Sequence, residues 1–285
     1  MKKVISKDGT TIAFDRSGKG PALILVGGTL EQRSMETDTA KLAALPLLAQ
    51  HFTIFHYDRR GRGDSTDTQP YAVEREIEDL EALIDEAGGS AFVSGISSGA
   101  ALAMEAAIKL GDKIKKLAMY EAPYSDDPAY RQAAKEFKRQ LKEALTQGRR
   151  GDVVGLFIMF LGGTADQLDG IRQLPMWPMW EAIAPTIAYE MEIVGEDASV
   201  PIQKAARVAA PTLVMAGAKS EPSAHITAKA LAKAMLHAKY RALEGQGHEV
   251  APEGLAPVLI EFFEGADDAR PGKPKLVASE SPKGK

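Results

Sequence analysis

Short apolar runs and helical periodicities alternate along the first 120 residues of the chain. The runs that predict strands lie at 11–15, 22–26, 53–57, 91–93 and 117–120, and apolar residues at helical spacing predict helices at 71–87 and 100–110. Most of the runs are continuously apolar rather than alternating, which is typical of strands buried on both faces. The pattern therefore predicts an α/β fold with a mostly parallel sheet between helices.

The pattern changes between residues 124 and 204, where strand-like runs stop and helical ones take over. It then resumes with a strand at 212–215, a helix at 228–236, a short strand near Tyr240 and a last helix at 257–263. We interpret 1–123 and 205–265 as one core domain and 124–204 as a helical cap inserted into it. Residues 266–285 are rich in Lys, Pro and Ser and lack apolar periodicity, which predicts a disordered tail.

A glycine-flanked serine lies between the strand predicted at 91–93 and the helix predicted at 100–110, in the stretch Gly95-Ile96-Ser97-Ser98-Gly99. A sharp turn from a strand to a helix presents its central side chain at the edge of the sheet, and small neighbours let the backbones approach. The motif alone is common, but its position between these elements predicts that Ser97 is a nucleophile.

The composition of the chain excludes several kinds of catalytic site and binding partner. The chain contains no cysteine, which excludes disulfides, thiol catalysis and cysteine-bound metals. A net charge of −4 speaks against a nucleic-acid partner. The N-terminus does not resemble a secretory signal, and no apolar run approaches the ~20 residues that span a bilayer, so no membrane partner and a cytoplasmic location are expected. No spacing of histidines or carboxylates suggests a metal site, and no cofactor is expected.

Three further motifs join the serine turn in a fixed order along the chain. They are Val26-Gly27-Gly28-Thr29, the Asp58-x-Arg60-Gly61-x-Gly63-x-Ser65 pattern, and Gly247-His248. With these motifs the chain resembles the α/β-hydrolase superfamily from about residue 4 to residue 263, in its esterase and haloperoxidase-like branch. The resemblance implies a mostly parallel eight-stranded sheet with a helical cap over the serine turn.

The resemblance also implies roles for individual residues. In the family the order along the chain is nucleophile, acid, histidine, which identifies the late His248 as the general base of Ser97. The backbone N–H groups of Thr29 and Ser98 are the expected oxyanion donors.

The chain departs from the family pattern at three positions. Gly27 stands where the family usually has histidine, and Ile96 precedes the nucleophile where polar or aromatic residues are frequent. Ser220 occupies the place of the usual aspartate after the seventh strand. We expect another carboxylate to orient His248, and Glu121 at the end of the sixth strand is favoured over Glu221.

Substrate-binding residues are harder to select from the sequence. Ile96 precedes the predicted nucleophile, Gly28 precedes Thr29, and both are candidate pocket residues. Trp177 and Trp180 lie in the predicted cap, where they line the substrate pocket or simply pack the cap onto the core. The basic cluster Arg59-Arg60-Arg62 is expected to be structural and to pair with nearby carboxylates such as Asp58 and Asp64.

A serine nucleophile implies acyl transfer, because dehalogenases and epoxide hydrolases of this fold use aspartate. The expectation is a carboxylic-ester hydrolase that acts on a small-molecule ester or lactone as a monomer or homodimer. Lactonase, thioesterase and perhydrolase activities remain open, as does a catalytically weak protein of this fold that binds a small ligand.

Overall fold

The computed structural model describes residues 1–34 and 39–265, and of residues 39–43 it describes the backbone alone. The predicted tail, 266–285, lies outside the described residues. No helix of the part that is described is long and apolar enough to cross a membrane.

Within the described ranges, eight strands form one sheet in the order β1-β2-β4-β3-β5-β6-β7-β8. Their bounds are β1 Lys2–Ile5, β2 Thr11–Gly18, β3 Ala22–Val26, β4 Thr53–Tyr57, β5 Ala91–Ile96, β6 Ile114–Tyr120, β7 Thr212–Gly217 and β8 Ala238–Leu243. β2 pairs with β1 and β4 in antiparallel fashion, and the pairs from β4 to β8 are parallel. The mostly parallel α/β sheet predicted from the sequence is confirmed. Parallel strands bring their carboxyl ends to one edge, and the candidate site lies there.

Helices cover both faces of the sheet. Their bounds are α1 Thr39–Leu48, α2 Val73–Glu86, α3 Ser98–Leu110, α4 Pro128–Thr146, α5 Arg150–Phe160, α6 Ala165–Ile171, α7 Trp177–Ile183, α8 Ile187–Val194, α9 Ile202–Ala205, α10 Pro222–Ala234 and α11 Pro252–Glu264. One face packs against α2, α3 and α10, where Leu80, Leu83 and Leu231 are buried. The other face packs against α1 and α11, through residues such as Leu48 and Phe263.

Helices α4 to α9 follow one another between β6 and β7, in the region predicted as a helical insertion. Phe137 and Leu141 of α4 belong to the same buried cluster as Leu117 of the sheet. Helix α8 packs against α2 and α3 of the core. The insertion therefore shares its apolar interior with the sheet. The predicted boundary between residues 204 and 205 falls inside α9.

Several predicted element bounds were wrong. β5, whose start at Ala91 was predicted, continues to Ile96 rather than ending at Ser94, so the turn follows the strand directly. Helix α11 begins at Pro252 rather than at residue 257. Pro252 is well tolerated because it occupies the first helical position. Pro257, inside the helix, removes one backbone hydrogen bond, but its neighbours Val258 and Leu259 are buried.

Candidate active site

The turn between β5 and α3 holds Ser97 in an unusual backbone conformation. Its φ is 53° and its ψ is −127°, in a region that non-glycine residues rarely adopt. The two glycines of the motif make the close packing possible. A Cβ on Gly95 would lie 2.3 Å from Gly99 O, and one on Gly99 would lie 2.3 Å from Val26 O. Strain of this kind is concentrated at functional sites, so the observation supports a functional role for the turn.

The strained turn is held by its backbone. Ser97 N–H donates to Tyr120 O of the neighbouring strand at 2.9 Å, and Ser97 O accepts from Ala100 N–H at 2.9 Å. The side chain is half-buried, and its Oγ makes no hydrogen bond to any residue within the described ranges. The Ser97 hydroxyl is thus presented at the carboxyl edge of the sheet without a competing partner.

Glu121, the residue after β6, contacts the histidine predicted as a base. Its Oε2 lies 2.7 Å from His248 Nδ1. An ionised carboxylate only accepts hydrogen bonds, so Nδ1 carries the proton and the Nε2 of a neutral ring is left free to act as a base. Ser97 and Glu121 follow β5 and β6, which are adjacent strands paired from Ala91 to Ile96. The sheet itself therefore brings the two positions together.

The carboxylate of Glu121 is buried and fully engaged. Its Oε1 accepts hydrogen bonds from Gly217 N–H at 2.7 Å and from Ser220 Oγ at 2.5 Å. Burial by itself would raise the pKa of this carboxyl, but the hydrogen bonds from His248, Ser220 and Gly217 hold the pKa below its ordinary value. Ser220, which stands at the family's usual acid position, thus donates a hydrogen bond to the carboxylate that comes from β6.

The alternative acid, Glu221, lies elsewhere. It is the residue before helix α10, its side chain is exposed, and it makes no hydrogen bond to His248 among the contacts of the described chain. Of the two carboxylates considered from the sequence, Glu121 is the one that the fold brings to the histidine. The catalytic role of Glu121 remains a proposal.

The loop that carries His248 is hydrogen-bonded to the sheet through Gly247, whereas the His248 side chain itself is largely exposed. Tyr120 OH donates a short hydrogen bond to Gly247 O. Burial and the nearby Glu121 carboxylate raise the pKa of Tyr120, so its hydroxyl keeps the proton that it donates. The His248 side chain is 60% exposed. No hydrogen bond joins its Nε2 to Ser97 Oγ in the part of the chain described, although such bonds often form only when a substrate is bound.

The two residues predicted to supply the oxyanion donors are in contact through their side chains. Thr29 Oγ1 is 3.1 Å from Ser98 Oγ. Neither Thr29 N–H nor Ser98 N–H donates to another of the described residues, so both are free for a ligand. Gly28 keeps the approach to the nucleophile close, because a Cβ at this position would lie 3.2 Å from the Cβ of Ser97.

The expected partners of the arginine cluster were wrong. Asp58 and Asp64 both pair with Arg33, at 3.1 Å and 2.7 Å. The three buried arginines reach carboxylates far away in sequence, and their pairs are Arg59 with Glu76 and Glu190, Arg60 with Asp79 and Asp8, and Arg62 with Glu190. The sequence offers only one signal for this network, the close spacing of three arginines in the polar loop that follows β4.

The predicted pocket residues occupy different environments. Ile96 lines a cavity of about 70 Å³ between the sheet and helices α1 and α11, and Gly28, Trp177 and Trp180 are not among its lining residues. Trp177 is 8% exposed and belongs to the cluster shared by insertion and sheet, and Trp180 packs against that cluster. Binding of substrate by these four residues stays a prediction.

No group of three or more histidines and carboxylates among the described residues is arranged to hold a metal ion.

Comparisons with known proteins identify the family of the chain. A profile of the alpha/beta hydrolase family matches residues 23–258. The crystal structure of an alpha/beta hydrolase from Sphaerobacter thermophilus is 47% identical with a TM-score of 0.82, and the match covers 92% of this chain and 100% of that one.

Two more distant structures share the fold. A thermophilic esterase from Thermogutta terrifontis is 21% identical with a TM-score of 0.67, over 92% of this chain and 96% of that one. The enol-lactonase from Burkholderia xenovorans LB400 is 20% identical with a TM-score of 0.67, over 92% and 100%. The eight-stranded sheet, the strained turn at Ser97 and the match over residues 23–258 lead to one conclusion: the chain belongs to the alpha/beta hydrolase family.

Proposed function

We propose that this protein is a serine hydrolase that cleaves carboxylic esters of small substrates through an acyl-enzyme on Ser97. The observation that carries the proposal is the placement of Ser97 in a strained strand-to-helix turn, one strand away from the hydrogen-bonded pair of Glu121 and His248. A serine hydroxyl is a weak nucleophile, and a base oriented by a third group is the usual means of activating it.

The first half of the reaction transfers the acyl group to the enzyme. Ser97 Oγ attacks the ester carbonyl while His248 Nε2 takes its proton. Glu121 keeps the proton of His248 on Nδ1 and stabilises the imidazolium that forms. Because the ring of His248 is exposed, it can turn toward Ser97 about its hydrogen bond with Glu121 once a substrate excludes water.

The negative charge that develops on the carbonyl oxygen requires donors. The free N–H groups of Thr29 and Ser98 meet this need, and the second lies at the start of helix α3, where the helix dipole also favours negative charge. Collapse of the tetrahedral intermediate passes the proton from His248 to the leaving alcohol. Water, deprotonated by the same base, then attacks the acyl-enzyme and releases the acid and free Ser97.

The choice of an ester over other acyl compounds rests on the nucleophile and on the fold. Serine forms an acyl ester rather than the alkyl ester that an aspartate would form. The esterase and the enol-lactonase reported above share the fold, and at 20–21% identity their activities are a reason to test both open-chain esters and lactones.

Hydrolysis of p-nitrophenyl acetate and butyrate tests the proposal. The wild type is expected to turn both over, and Ser97→Ala is expected to lower kcat by at least about 10⁴-fold, because the acyl-enzyme then cannot form. Ser94→Ala is the matched control, since Ser94 lies on the same strand and is expected to retain activity. Wild-type activity in Ser97→Ala would refute the mechanism.

One observation favours a second candidate, a protein of this fold that binds a small ligand without turning it over. His248 makes no hydrogen bond to Ser97 Oγ in the described structure, and its ring is largely exposed. Such a protein would hydrolyse no ester, lactone or thioester, and Ser97 would not react with a fluorophosphonate.

A further inference from the structure

The loop between β3 and α1 carries one of the proposed oxyanion donors, and buried arginines determine its conformation. Arg62 Nη1 donates to Gly28 O at 2.6 Å and to Glu31 O at 3.3 Å. Arg59 Nη1 donates to Gly27 O at 3.3 Å. Carbonyl oxygens of this loop are therefore held by guanidinium groups that are almost inaccessible to solvent.

The bond to Gly28 O has a direct consequence for Thr29. Among the described residues the cis peptide bond is that of Gln69 and Pro70, so the peptide from Gly28 to Thr29 is trans. In a planar trans peptide the C=O and the following N–H point in opposite directions. Arg62 on one side of this peptide thus directs Thr29 N–H to the other side, and that N–H has no partner among the described residues.

Arg62 is in turn held by the helical insertion. Its Nη2 donates a short hydrogen bond to Glu190 Oε1, and its Nε donates to Thr186 Oγ1 at 3.1 Å. Glu190 lies on α8, is 4% exposed, and also pairs with Arg59 at 3.0 Å. Arg59 also pairs with Glu76. The positive charges of Arg59 and Arg62 are therefore matched by the negative charges of Glu76 and Glu190 within this buried group. A single chain of contacts therefore runs from the insertion through Arg62 to the Gly28 carbonyl.

We propose that Arg62 is a positioning residue for acyl transfer, which orients the Thr29 N–H toward the oxyanion and is itself fixed by Glu190 of the insertion. The inference rests on the proposed function of Ser97. Arg62 occupies a position that the Asp58-x-Arg60-Gly61-x-Gly63-x-Ser65 pattern leaves unspecified. A hydrogen-bond donor that is oriented before the reaction stabilises the transition state most, because the carbonyl oxygen of the substrate carries negative charge there.

The expected effect of losing Arg62 is therefore on kcat rather than on KM. Arg62→Met retains much of the volume but cannot donate to Gly28 O, and kcat is expected to fall about 10- to 100-fold, short of the 10²–10³-fold that loss of a whole donor costs. Arg62→Lys can still donate one hydrogen bond to the carbonyl and is expected to recover part of that loss. Glu190→Gln is expected to lower kcat in the same direction, because it loosens Arg62 without touching the loop.

Arg60 provides the matched control. It is as deeply buried as Arg62, but its partners are Asp79, Asp8 and the Arg75 carbonyl, which lie away from the Gly28 loop. Arg60→Met is expected to lower stability comparably and to leave kcat unchanged when all variants are assayed well below their Tm. An equal fall of kcat in the Arg60 and Arg62 variants, or a rise in KM with kcat unchanged in Arg62→Met, would overturn the proposal.

Ser97→Ala, assayed in parallel, distinguishes a failure of the positioning role of Arg62 from a failure of the proposed function. If Ser97→Ala is inactive and Arg62→Met and Glu190→Gln both keep the wild-type kcat, the positioning role is wrong and the proposed function stands. If Ser97→Ala is as active as the wild type, the proposed function fails and the role of Arg62 fails with it. The proposal is supported by loss in Ser97→Ala, a kcat effect at Arg62, partial recovery with lysine and wild-type kcat in Arg60→Met.

Discussion

Glu121 reaches His248 from a different strand than the one that carries the family's usual aspartate. The family's usual aspartate follows β7, where this chain has Ser220. Because β6 and β7 are adjacent, a residue after β6 reaches the same space, and the Ser220 hydroxyl lies 2.5 Å from Glu121 Oε1. Glu121 adopts a φ of 46° after the strand, and its N–H donates to Met215 O at 3.0 Å.

Part of this arrangement was predictable. A carboxylate at the end of a strand next to the serine strand is visible in the sequence, and so was the shortlist of Glu121 and Glu221. The hydrogen bonds that Ser220 Oγ and Gly217 N–H donate to Glu121 could not be predicted, because they depend on the register between β6 and β7. The same limit explains the arginines, whose nearest carboxylates in sequence, Asp58 and Asp64, pair with Arg33 instead.

Substitution of Glu121 tests its proposed role. Glu121→Gln is expected to lower kcat by up to about 10⁴-fold, because an amide cannot hold the histidine tautomer and stabilise the imidazolium. The double variant Glu121→Ala with Ser220→Asp is expected to recover part of the activity that Glu121→Ala loses, since the new carboxylate grows from a side chain already at the site. Hydrolysis of p-nitrophenyl butyrate measures both, with Glu221→Gln as the control expected to behave as wild type. A fully active Glu121→Gln would contradict the assignment.

The pKa of Glu121 also predicts a pH dependence of stability. Hydrogen bonds hold this pKa below the ordinary 4.5, so the unfolded chain binds more protons than the folded one in the range just below that value. The stabilisation by the carboxylate is thus fully present above about pH 4.5 and is lost as the pH falls through the folded-state pKa. Urea unfolding from pH 3 to 7 should show the free-energy difference between wild type and Glu121→Gln shrinking toward low pH. A difference that grows as the pH falls would be inconsistent with the hydrogen bonds seen.

At the scale of elements, the strand-to-helix turn depends on two backbones that nearly touch. The sequence predicts β5, the turn and α3 because an apolar run, small residues and an alanine-rich helix follow one another. It does not predict α1, whose mostly apolar segment lacks a clear helical period and contains Pro46, or β1, which has only four residues at the edge of the sheet. Elements without a clear period are visible only once their partners are known.

Gly99 is the position where this close packing is most easily tested. A Cβ there would lie 2.3 Å from Val26 O and 2.5 Å from Gly27 O, both of which are backbone atoms. We expect Gly99→Ala to lower the free energy of unfolding by at least about 1–3 kcal/mol, because the strand and the helix must move apart. Gly170→Ala in α6 is the control, since no atom lies within 4 Å of its Cβ, and it should be neutral or stabilising by about 0.5–1 kcal/mol. Equal stability of Gly99→Ala and wild type in urea would show that the turn is looser than described.

At the scale of the whole molecule, the insertion and the sheet share one buried cluster. Phe137 and Val153 of the insertion lie in the same cluster as Leu117 and Val93 of the strands. The buried pairs of Arg59 and Arg62 with Glu190 add a polar connection between the two parts. The sequence predicted an insertion, but the extent of its shared interior follows only from the packing.

This shared interior predicts that the insertion and the core unfold together. The chain has two tryptophans, Trp177 and Trp180, and both lie in α7 of the insertion. Tryptophan fluorescence therefore reports on the insertion, and far-ultraviolet circular dichroism reports on the whole chain. The two signals are expected to give coincident transitions in urea, as cooperative unfolding requires. A fluorescence transition that clearly precedes the loss of ellipticity would show that the insertion melts separately.

The most direct test of the account is covalent labelling of Ser97. We expect a fluorophosphonate to add one phosphonyl group to the folded protein, located on Ser97 by peptide mass spectrometry, and we expect no adduct in Ser97→Ala. His248→Gln should react much more slowly, because the base is missing. An unlabelled wild type, or an adduct formed equally well in Ser97→Ala, would contradict the central claim.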